Sequence, residues 1–309
     1  MTDTQRISPS GEQWEIRHGD QRLTVVGVGG GIRSYDAGTR PVLHGYRDDA
    51  RADAGRGQLL MPWPNRIADG AYTFDGTAQQ LPLTEPARHN ASHGLVRWEQ
   101  WSLIDRSESA MTVGFRLMPG PGWDGILDLS VHYALDDDGL TVTPSATNVG
   151  TVPAPFGFGA HPYLSVGEES VDELTLSVPA ARYLTVDDRL LPTGTEPVDG
   201  TVYDFRTPRP IGDAVLDTAF TGLASDADGR WRVSIGAGGR TSTLWAQADS
   251  FPYTQVFTGD SLPAGRARHT GVAVEPMSCP ANAFVTGEAL VVLEPGDSWS
   301  ASWGISHEG

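Results

Sequence analysis

Glycine and proline interrupt this chain so often that little room is left for long helices: 37 glycines and 22 prolines occur among 309 residues. Both residues break regular structure, glycine through its backbone freedom and proline through its missing N–H. The stretches between them are short, and several alternate apolar and polar residues as half-buried strands do. Predicted strands are 22–28, 111–118, 127–135, 140–148, 173–178, 231–237, 241–247, 253–259, 272–276, 289–295 and 298–306. The predicted fold class is all-β, a large antiparallel β-sandwich.

The turn signals support one continuous β domain. "LDDDGL" (135–140) has the Asp and Gly residues of a tight hairpin turn between two predicted strands. No linker, low-complexity tract or charge run divides the chain, and a single all-β domain can reach this length. We therefore expect one domain over residues 1–309.

Charge and composition exclude several classes of partner. The chain has 22 basic and 39 acidic residues, a net charge of −17, which disfavours nucleic acids and anionic membrane surfaces. Cys279 is the one cysteine, so no intrachain disulfide can form. The polar N-terminus lacks the apolar segment of a signal peptide, and no stretch has the ~18–20 apolar residues of a spanning helix. These features predict a soluble, cytoplasmic protein.

Two short motifs resemble known signatures but fail on context. "VVGVGGGI" (25–32) has Ile32 where a dinucleotide-binding loop needs its third glycine, and no βαβ pattern surrounds it. "GDSL" (259–262) matches a serine hydrolase signature, but it comes late in a β-rich chain with no Asp-x-x-His after it. Common zinc spacings and nucleophile elbows are also missing from the sequence. We therefore expect neither a metal nor a cofactor.

Five polar residues stand in unusually apolar or rigid surroundings: Arg66, His93, His161, Asp217 and Glu275. Each has an ordinary structural explanation, such as a hydrogen-bonded histidine, an ion-paired arginine or a turn aspartate. The carboxylate of Glu275 is the hardest to explain in this way, because it ends an apolar Val-Ala-Val strand and is followed by a proline. Together the five residues suit acid–base chemistry on a polar, neutral ligand.

The order of the surrounding motifs resembles one known family. "WPNRI" (63–67), "HG" (93–94), "GAHPYL" (159–164), "LDTAF" (216–220) and "EP" (275–276) follow one another as in the aldose 1-epimerase (mutarotase) family, to which galactose mutarotase belongs. The resemblance extends from Asn65 to the C-terminus. "RLLP" (189–192) and "EPMSCPANAF" (275–284) look closest to a bacterial branch of aldose epimerases associated with sulfoquinovose mutarotases.

The resemblance implies a galactose mutarotase-like supersandwich with an open sugar cleft and no cofactor. It implies interconversion of the α and β anomers of a free aldose, with Glu275 as the catalytic base and His161 as the catalytic acid. Arg66, His93 and Asp217 would hold the ring oxygen and hydroxyl groups of the sugar. The implied partner is a monosaccharide, bound by a monomer or a homodimer.

Several alternatives stay open at this point. The sugar can be neutral or anionic, the anionic candidates being sulfoquinovose and a hexose 6-phosphate, for which Arg97 is a candidate cation near C6. A non-catalytic carbohydrate-binding protein on the same fold is a further alternative, since fold alone does not determine function. A glycoside hydrolase ranks last, because it needs two carboxylates flanking the bond. The sequence also leaves open whether Pro162 and Pro276 are cis or trans.

Overall fold

The computed structural model describes residues 7–167, 170–263, 268 and 271–309. Within this part, the regular structure consists of twenty-eight strands, two 3-10 turns and one four-residue helix. The described strand pairs are all antiparallel. The predicted all-β, antiparallel fold class is confirmed.

The elements are short segments separated by turns. In chain order they are β1 (Gln13–His18), β2 (Gln21–Val26), β3 (Ile32–Ala37), β4 (Arg40–Pro41), β5 (Leu59–Leu60), β6 (Arg66–Ala68), β7 (Ala71–Phe74), β8 (Thr77–Gln80), a 3-10 turn (Pro86–Arg88), β9 (Asn90–Ser92), β10 (Ser102–Arg106), β11 (Ala110–Leu117), β12 (Leu127–Asp136), β13 (Gly139–Asn148), β14 (Ala154–Phe156), β15 (Gly159–Ala160), β16 (Tyr163–Leu164), a second 3-10 turn (Val171–Glu173), β17 (Thr175–Ser177), β18 (Ala180–Val186), β19 (Pro192–Pro197), β20 (Arg209–Pro210), β21 (Asp217–Leu223), β22 (Arg230–Ala237), β23 (Arg240–Gln247), β24 (Tyr253–Phe257), β25 (Val272–Met277), α1 (Ala283–Thr286), β26 (Val291–Leu293), β27 (Ser298–Ser300) and β28 (Trp303–Glu308).

Two large sheets make up most of the fold. One has ten strands in the order β10-β11-β12-β13-β28-β23-β22-β17-β20, with β27 also paired to β13. The other has eight strands in the order β19-β18-β21-β24-β25-β15-β5, with β16 also paired to β25. Trp231 and Leu244 of the first sheet and Phe220 and Val274 of the second belong to one hydrophobic cluster. The sheets therefore share a core, as the two layers of a sandwich do.

The hairpin of β12 and β13 shows how the sequence pattern produces the ten-stranded sheet. Apolar residues of β12 alternate with polar ones, and its burial alternates in the same register along the strand. Strand side chains point to opposite faces in turn, so this pattern places one face on the core and the other in solvent. The turn predicted at 135–140 is present, since Asp136 pairs with Gly139.

The eight-stranded sheet is built differently: β24 and β25 are buried along nearly their whole length, whereas the edge strand β19 is exposed. All six residues of β25 are buried, including Glu275. Next to it, β24 places Gln255 directly opposite Glu275, and β21 in turn places Asp217 opposite Phe257. Because cross-strand partners share a face, this register brings polar groups from separate strands to one side of the sheet.

The predicted strands differ from the observed ones mainly in their ends and number. The run 298–306 contains two strands, β27 and β28, separated by two residues, and both pair with β13. The run 173–178 begins in a 3-10 turn, and its strand is only Thr175–Ser177. Strands of two or three residues, such as β5 and β15, are too short to show a period of two, so sequence pattern alone does not reveal them.

Two remaining questions from the sequence concern the backbone. The cis peptide bond found in the described chain is Met61–Pro62, so the bonds before Pro162 and Pro276 are trans. None of the helices in the described residues is long and apolar enough to span a membrane.

Candidate active site

The structure brings all five candidate residues together. Arg66, His93, His161, Asp217 and Glu275 line one pocket of about 230 Å³. They reach it from five segments that are far apart in the sequence. The other lining residues are Ala54, Asn65, Glu85, Arg88, Gln255, Phe257, Ser261 and Leu262.

Glu275 and His161 face each other inside this pocket. Glu275 lies in the middle of β25 and is 3% exposed, and His161 follows β15 and is 6% exposed. Nε2 of His161 is 3.3 Å from Oε1 of Glu275. Nδ1 of His161 and Oε2 of Glu275 are buried and have no hydrogen-bond partner in the described structure. Such unpaired buried atoms are rare in folded proteins and need an explanation.

Burial shifts the proton affinities of this pair in opposite directions. Burial, reinforced by the negative charge of Asp217, raises the pKa of Glu275 well above its usual value, and Arg66 opposes the shift. Burial lowers the pKa of His161 to about 3, and the charges of Arg56, Arg97 and Arg66 act in the same direction. Both shifts favour the neutral forms, because a low-dielectric environment penalises charge. Burial therefore disfavours the charge-separated form of the pair, carboxylate and imidazolium.

Arg66 is held in the pocket by a carboxylate. Its Nε and Nη2 donate to the two carboxylate oxygens of Glu85, at 2.7 and 3.1 Å, and its Nη1 donates to Asn65 Oδ1 at 3.2 Å. A second arginine, Arg88, also donates to Glu85, at 2.8 Å. A guanidinium has five N–H groups, so two of those on Arg66 stay available for a ligand.

The backbone around His93 is tightly constrained. His93 adopts a left-handed conformation (φ 62°), and its N–H donates to the carbonyl of Asn65, itself left-handed at φ 57°. A Cβ on the next residue, Gly94, would lie 2.0 Å from the carbonyl oxygen of Met61, so only glycine fits there. Non-glycine residues in this region of φ are uncommon and cluster at functional sites. The loop conformation therefore fixes where the imidazole enters the pocket.

A chain of amides connects Asp217 to this corner. Gln255 Nε2 donates to Asp217 Oδ1 at 2.7 Å, and Asn65 Nδ2 lies 3.5 Å from Gln255 Oε1. Asp217 itself is exposed at the start of β21, whereas Gln255 is buried. The side-chain amide of Gln255 therefore holds the exposed carboxylate of Asp217 in position.

Sequence reasoning missed Gln255 and Glu85 as members of this pocket. Gln255 lies in the run 253–259, where a polar residue in a strand has no distinguishing signal apart from its apolar neighbours. Glu85 stands in "LTEPARHN" (83–90), an ordinary turn sequence. Both matter only through partners on other segments, which the local sequence does not show.

One further residue, Arg97, lies elsewhere than its candidate role would place it. Arg97 does not line the pocket, and its guanidinium lies 5.7 Å from the ring of Trp98. The arginines that do line the pocket are Arg66 and Arg88. Among the described residues, no group of three or more His, Cys, Asp and Glu side chains is arranged to hold a metal ion.

Comparison with known proteins gives this geometry its family. The family model described as aldose 1-epimerase matches residues 12–306. The chain belongs to the aldose 1-epimerase family. The family resemblance predicted from the motif order is thereby confirmed.

Most of the chain is also similar to individual relatives and to a solved structure. The uncharacterized protein YihR of Escherichia coli (strain K12) is 33% identical over 288 residues, 93% of this chain and 90% of its own length. Galactose mutarotase of Mus musculus is 27% identical over 262 residues, 76% of this chain and 74% of its own. The crystal structure of galactose 1-epimerase from Lactobacillus acidophilus NCFM has a TM-score of 0.80 at 20% identity, covering 96% of this chain and 94% of its own. At that identity the last comparison supports the fold alone.

Proposed function

We propose that this protein is a mutarotase that interconverts the α and β anomers of a free aldose, with Glu275 as the base and His161 as the acid. The observation that supports the proposal most directly is the 3.3 Å approach of the His161 imidazole to the Glu275 carboxyl in a polar pocket. A buried acid–base pair with perturbed proton affinities is typical of proton-transfer sites.

The reaction needs two proton transfers at the hemiacetal. The Glu275 carboxylate removes the proton of the anomeric hydroxyl, the bond between C1 and the ring oxygen breaks, and the His161 imidazolium donates its proton to the ring oxygen. The product is the open-chain aldehyde with a free hydroxyl on C5. Rotation about the C1–C2 bond presents the other face of the aldehyde, and the same two residues close the ring in reverse. Each positioned acid or base contributes about 10²–10⁴-fold.

The number of protons on Glu275 and His161 together fits this scheme. The reacting form, carboxylate and imidazolium, holds one proton in total, and so does the neutral pair favoured by burial. One transfer within the Glu275–His161 pair therefore prepares the site without exchange of protons with solvent. Because the two groups interact, their proton affinities belong to the pair as a unit.

The remaining polar residues would bind the sugar. Arg66 has two free N–H groups for sugar oxygens, and Asp217 accepts hydrogen bonds from hydroxyl groups. His93 reaches the pocket from its constrained loop, edge-on to the His161 ring at 5.8 Å between centroids. Gln255 and Asn65 extend this set, since both line the pocket and connect to Asp217 and Arg66.

The test is anomer exchange measured with the purified protein. Polarimetry of freshly dissolved α-anomers, together with exchange NMR at equilibrium, should show acceleration over the spontaneous rate for at least one sugar. The panel contains glucose, galactose, a hexose 6-phosphate and sulfoquinovose. Spontaneous rates for every member would overturn the proposal, and sugar binding by calorimetry without exchange would favour a carbohydrate-binding protein.

A second candidate substrate class is an anionic aldose, such as sulfoquinovose or a hexose 6-phosphate. It is supported by Arg88, which lines the pocket and whose side chain is 42% exposed. An exposed guanidinium at the pocket wall can bind a sulfonate or phosphate through paired hydrogen bonds. A preference for the charged members of the panel, lost in Arg88→Met, would decide for this class.

A further inference from the structure

The imidazole of His161 is enclosed on two sides by structure that the proposed reaction does not use. Its ring stacks on the ring of Tyr163, with centroids 5.1 Å apart and planes inclined by 15°. Gly55 packs against the same imidazole so closely that a Cβ there would lie 2.4 Å from Cδ2. Gly55 has φ +77°, a conformation that favours glycine, so the backbone itself forms this wall.

The segment 53–58 supplies this wall and is joined to His161 at several points. The N–H of His161 donates to the carbonyl of Gln58, and the N–H of Gly57 donates to the carbonyl of His161, at 3.0 and 2.9 Å. The hydroxyl of Tyr163 donates to the carbonyl of Ala54 at 2.8 Å. A displacement of this segment would therefore move the stacked rings with it.

A buried arginine lies over the same Tyr163 ring that stacks on His161. The guanidinium carbon of Arg56 lies 4.8 Å from the ring centroid of Tyr163, and the Arg56 side chain is 5% exposed. Asp53 lies 3.4 Å from the guanidinium as its ion-pair partner. The ring of Tyr163 therefore contacts both the Arg56 guanidinium and the His161 imidazole. Such a cation over an aromatic ring holds the plane of the ring as well as adding a charge.

We propose that Arg56 is a positioning residue for His161. Through the ring of Tyr163, Arg56 holds the plane of the imidazole. Its buried positive charge also disfavours protonation of that imidazole. The proposal rests on the proposed function for its kinetic consequence, whereas its structural part concerns the imidazole alone. No residue of the segment 53–58 was a candidate on sequence grounds.

Several charged groups surround the imidazole, and each acts on it from a different element. Glu275 faces Nε2 at 3.3 Å, and the His93 ring lies 5.8 Å away. Arg56, which lies over the ring of Tyr163, opposes protonation of His161 and so lowers its pKa, as Arg97 and Arg66 do. Arg56 differs from Arg97 and Arg66 because it lies over the ring of Tyr163 and its side chain is buried. For two charges about 10 Å apart and an effective dielectric constant near 20, Coulomb's law gives a pKa shift of about one unit.

The experiment compares Arg56→Met, Arg56→Lys and wild type, with Arg116→Met as the matched control on an exposed arginine. The first readout is the NMR titration of the His161 ring, identified by its loss in His161→Asn. We expect the midpoint in Arg56→Met to rise by about one pH unit. Arg56→Lys and the control should leave the midpoint within a few tenths of a unit of wild type.

The second readout is the pH profile of kcat/KM for a sugar that the wild type interconverts. Uptake of a second proton by the Glu275–His161 pair removes the base, so activity falls on the acidic side. Arg56→Met should move this acidic limb upward by about one unit, while Arg56→Lys should keep it in place. Both variants lose the flat guanidinium over Tyr163, so both should lower the plateau kcat, by up to about tenfold.

The outcomes separate the two proposals. An unchanged imidazole titration in a folded Arg56→Met protein would overturn the role of Arg56, whatever the activity. Equal losses of kcat in both variants without a shift of the acidic limb would reduce Arg56 to packing alone. If wild type shows no exchange, the proposed function fails, and the ring titration still decides about Arg56. Should Arg56→Met not fold, Asp53→Asn tests the same charge in the opposite direction, with the midpoint expected to fall.

Discussion

A groove on the ten-stranded sheet has a volume of about 500 Å³, more than twice the about 230 Å³ of the pocket on the eight-stranded sheet. Apart from Gln100, the residues that line the groove belong to β10–β13, and several of them, such as Arg116 and Asp128, are exposed to water. The smaller pocket is lined by polar groups from separate short segments, and His161, Gln255 and Glu275 among them are buried. Size therefore says less about chemistry than the convergence and burial of titratable groups.

The same contrast holds for one ion pair in each region. Arg66 and Glu85 in the pocket have side chains 13% and 20% exposed, whereas Arg116 and Asp128 in the groove are 61% and 42% exposed. Both arginines donate through Nε and Nη2 to the two oxygens of their carboxylate. The exposed pair contributes little to stability, because solvent and salt screen it. The groove therefore provides matched controls for every substitution in the pocket.

The largest expected effect is on the proton-transfer pair. Glu275→Gln and His161→Asn should each lower kcat for anomer exchange by about 10²–10⁴-fold, because each removes one of the two proton-transfer groups. Ser130→Ala in the groove should leave kcat unchanged. Exchange NMR on the folded variants measures the effect. If both pocket variants kept wild-type rates, their proposed roles would be wrong even if the protein is a mutarotase.

The next largest effect is expected at Arg66, with the exposed Arg116 as its control. Arg66→Met should weaken sugar binding by about 10- to 100-fold in KM, since it removes charge-assisted hydrogen bonds to sugar oxygens. It also leaves Glu85 without its main partner. Arg116→Met, the control, should change KM by less than twofold. Equal KM values for the two variants would show that Arg66 does not touch the sugar.

The burial of Glu275 predicts a stability effect of known sign. Its pKa is raised in the folded state, so folding takes up a proton between the ordinary carboxyl pKa and the raised one, and stability falls as pH rises through that window. Glu275→Gln should therefore be more stable than wild type at pH 8 and about as stable as wild type at pH 4. Urea unfolding at the two pH values measures this difference. A variant that is destabilised at pH 8 would contradict the burial argument, and Asp128→Asn should show no comparable pH dependence.

The smallest effect is expected at Glu85, which acts on the sugar only through Arg66. Glu85→Gln keeps one acceptor oxygen for Arg66 but loses the charge, so we expect KM to rise by about three- to tenfold with kcat nearly unchanged. Asp128→Asn, which makes the same change in the exposed pair, should have no effect on either constant. A large fall in kcat for Glu85→Gln would indicate that Glu85 takes part in proton transfer.

The sequence alone predicted much of the fold where the pattern is local. β12 and β13 were readable because their apolar and polar residues alternate and an Asp-rich turn joins them. The family followed from the order of short motifs, and these motifs also contain Arg66, His161 and Glu275, which meet in one pocket. Gln255 and Glu85 were missed because their roles depend on register and loop contact. The contact of Arg56 with Tyr163, which stacks on His161, has no sequence signal at all.

What the sequence determined by itself is the class of the fold and the set of chemical groups available. The alternation of apolar and polar residues, the turn residues and the order of motifs are properties of the sequence, so they can be read without a folded structure. The tertiary structure alone decided which groups meet, how deeply they are buried and which proton affinities result. Those quantities depend on distances between segments and on exclusion of water, as in the approach of His161 to Glu275, and neither exists before the two sheets close on their common core.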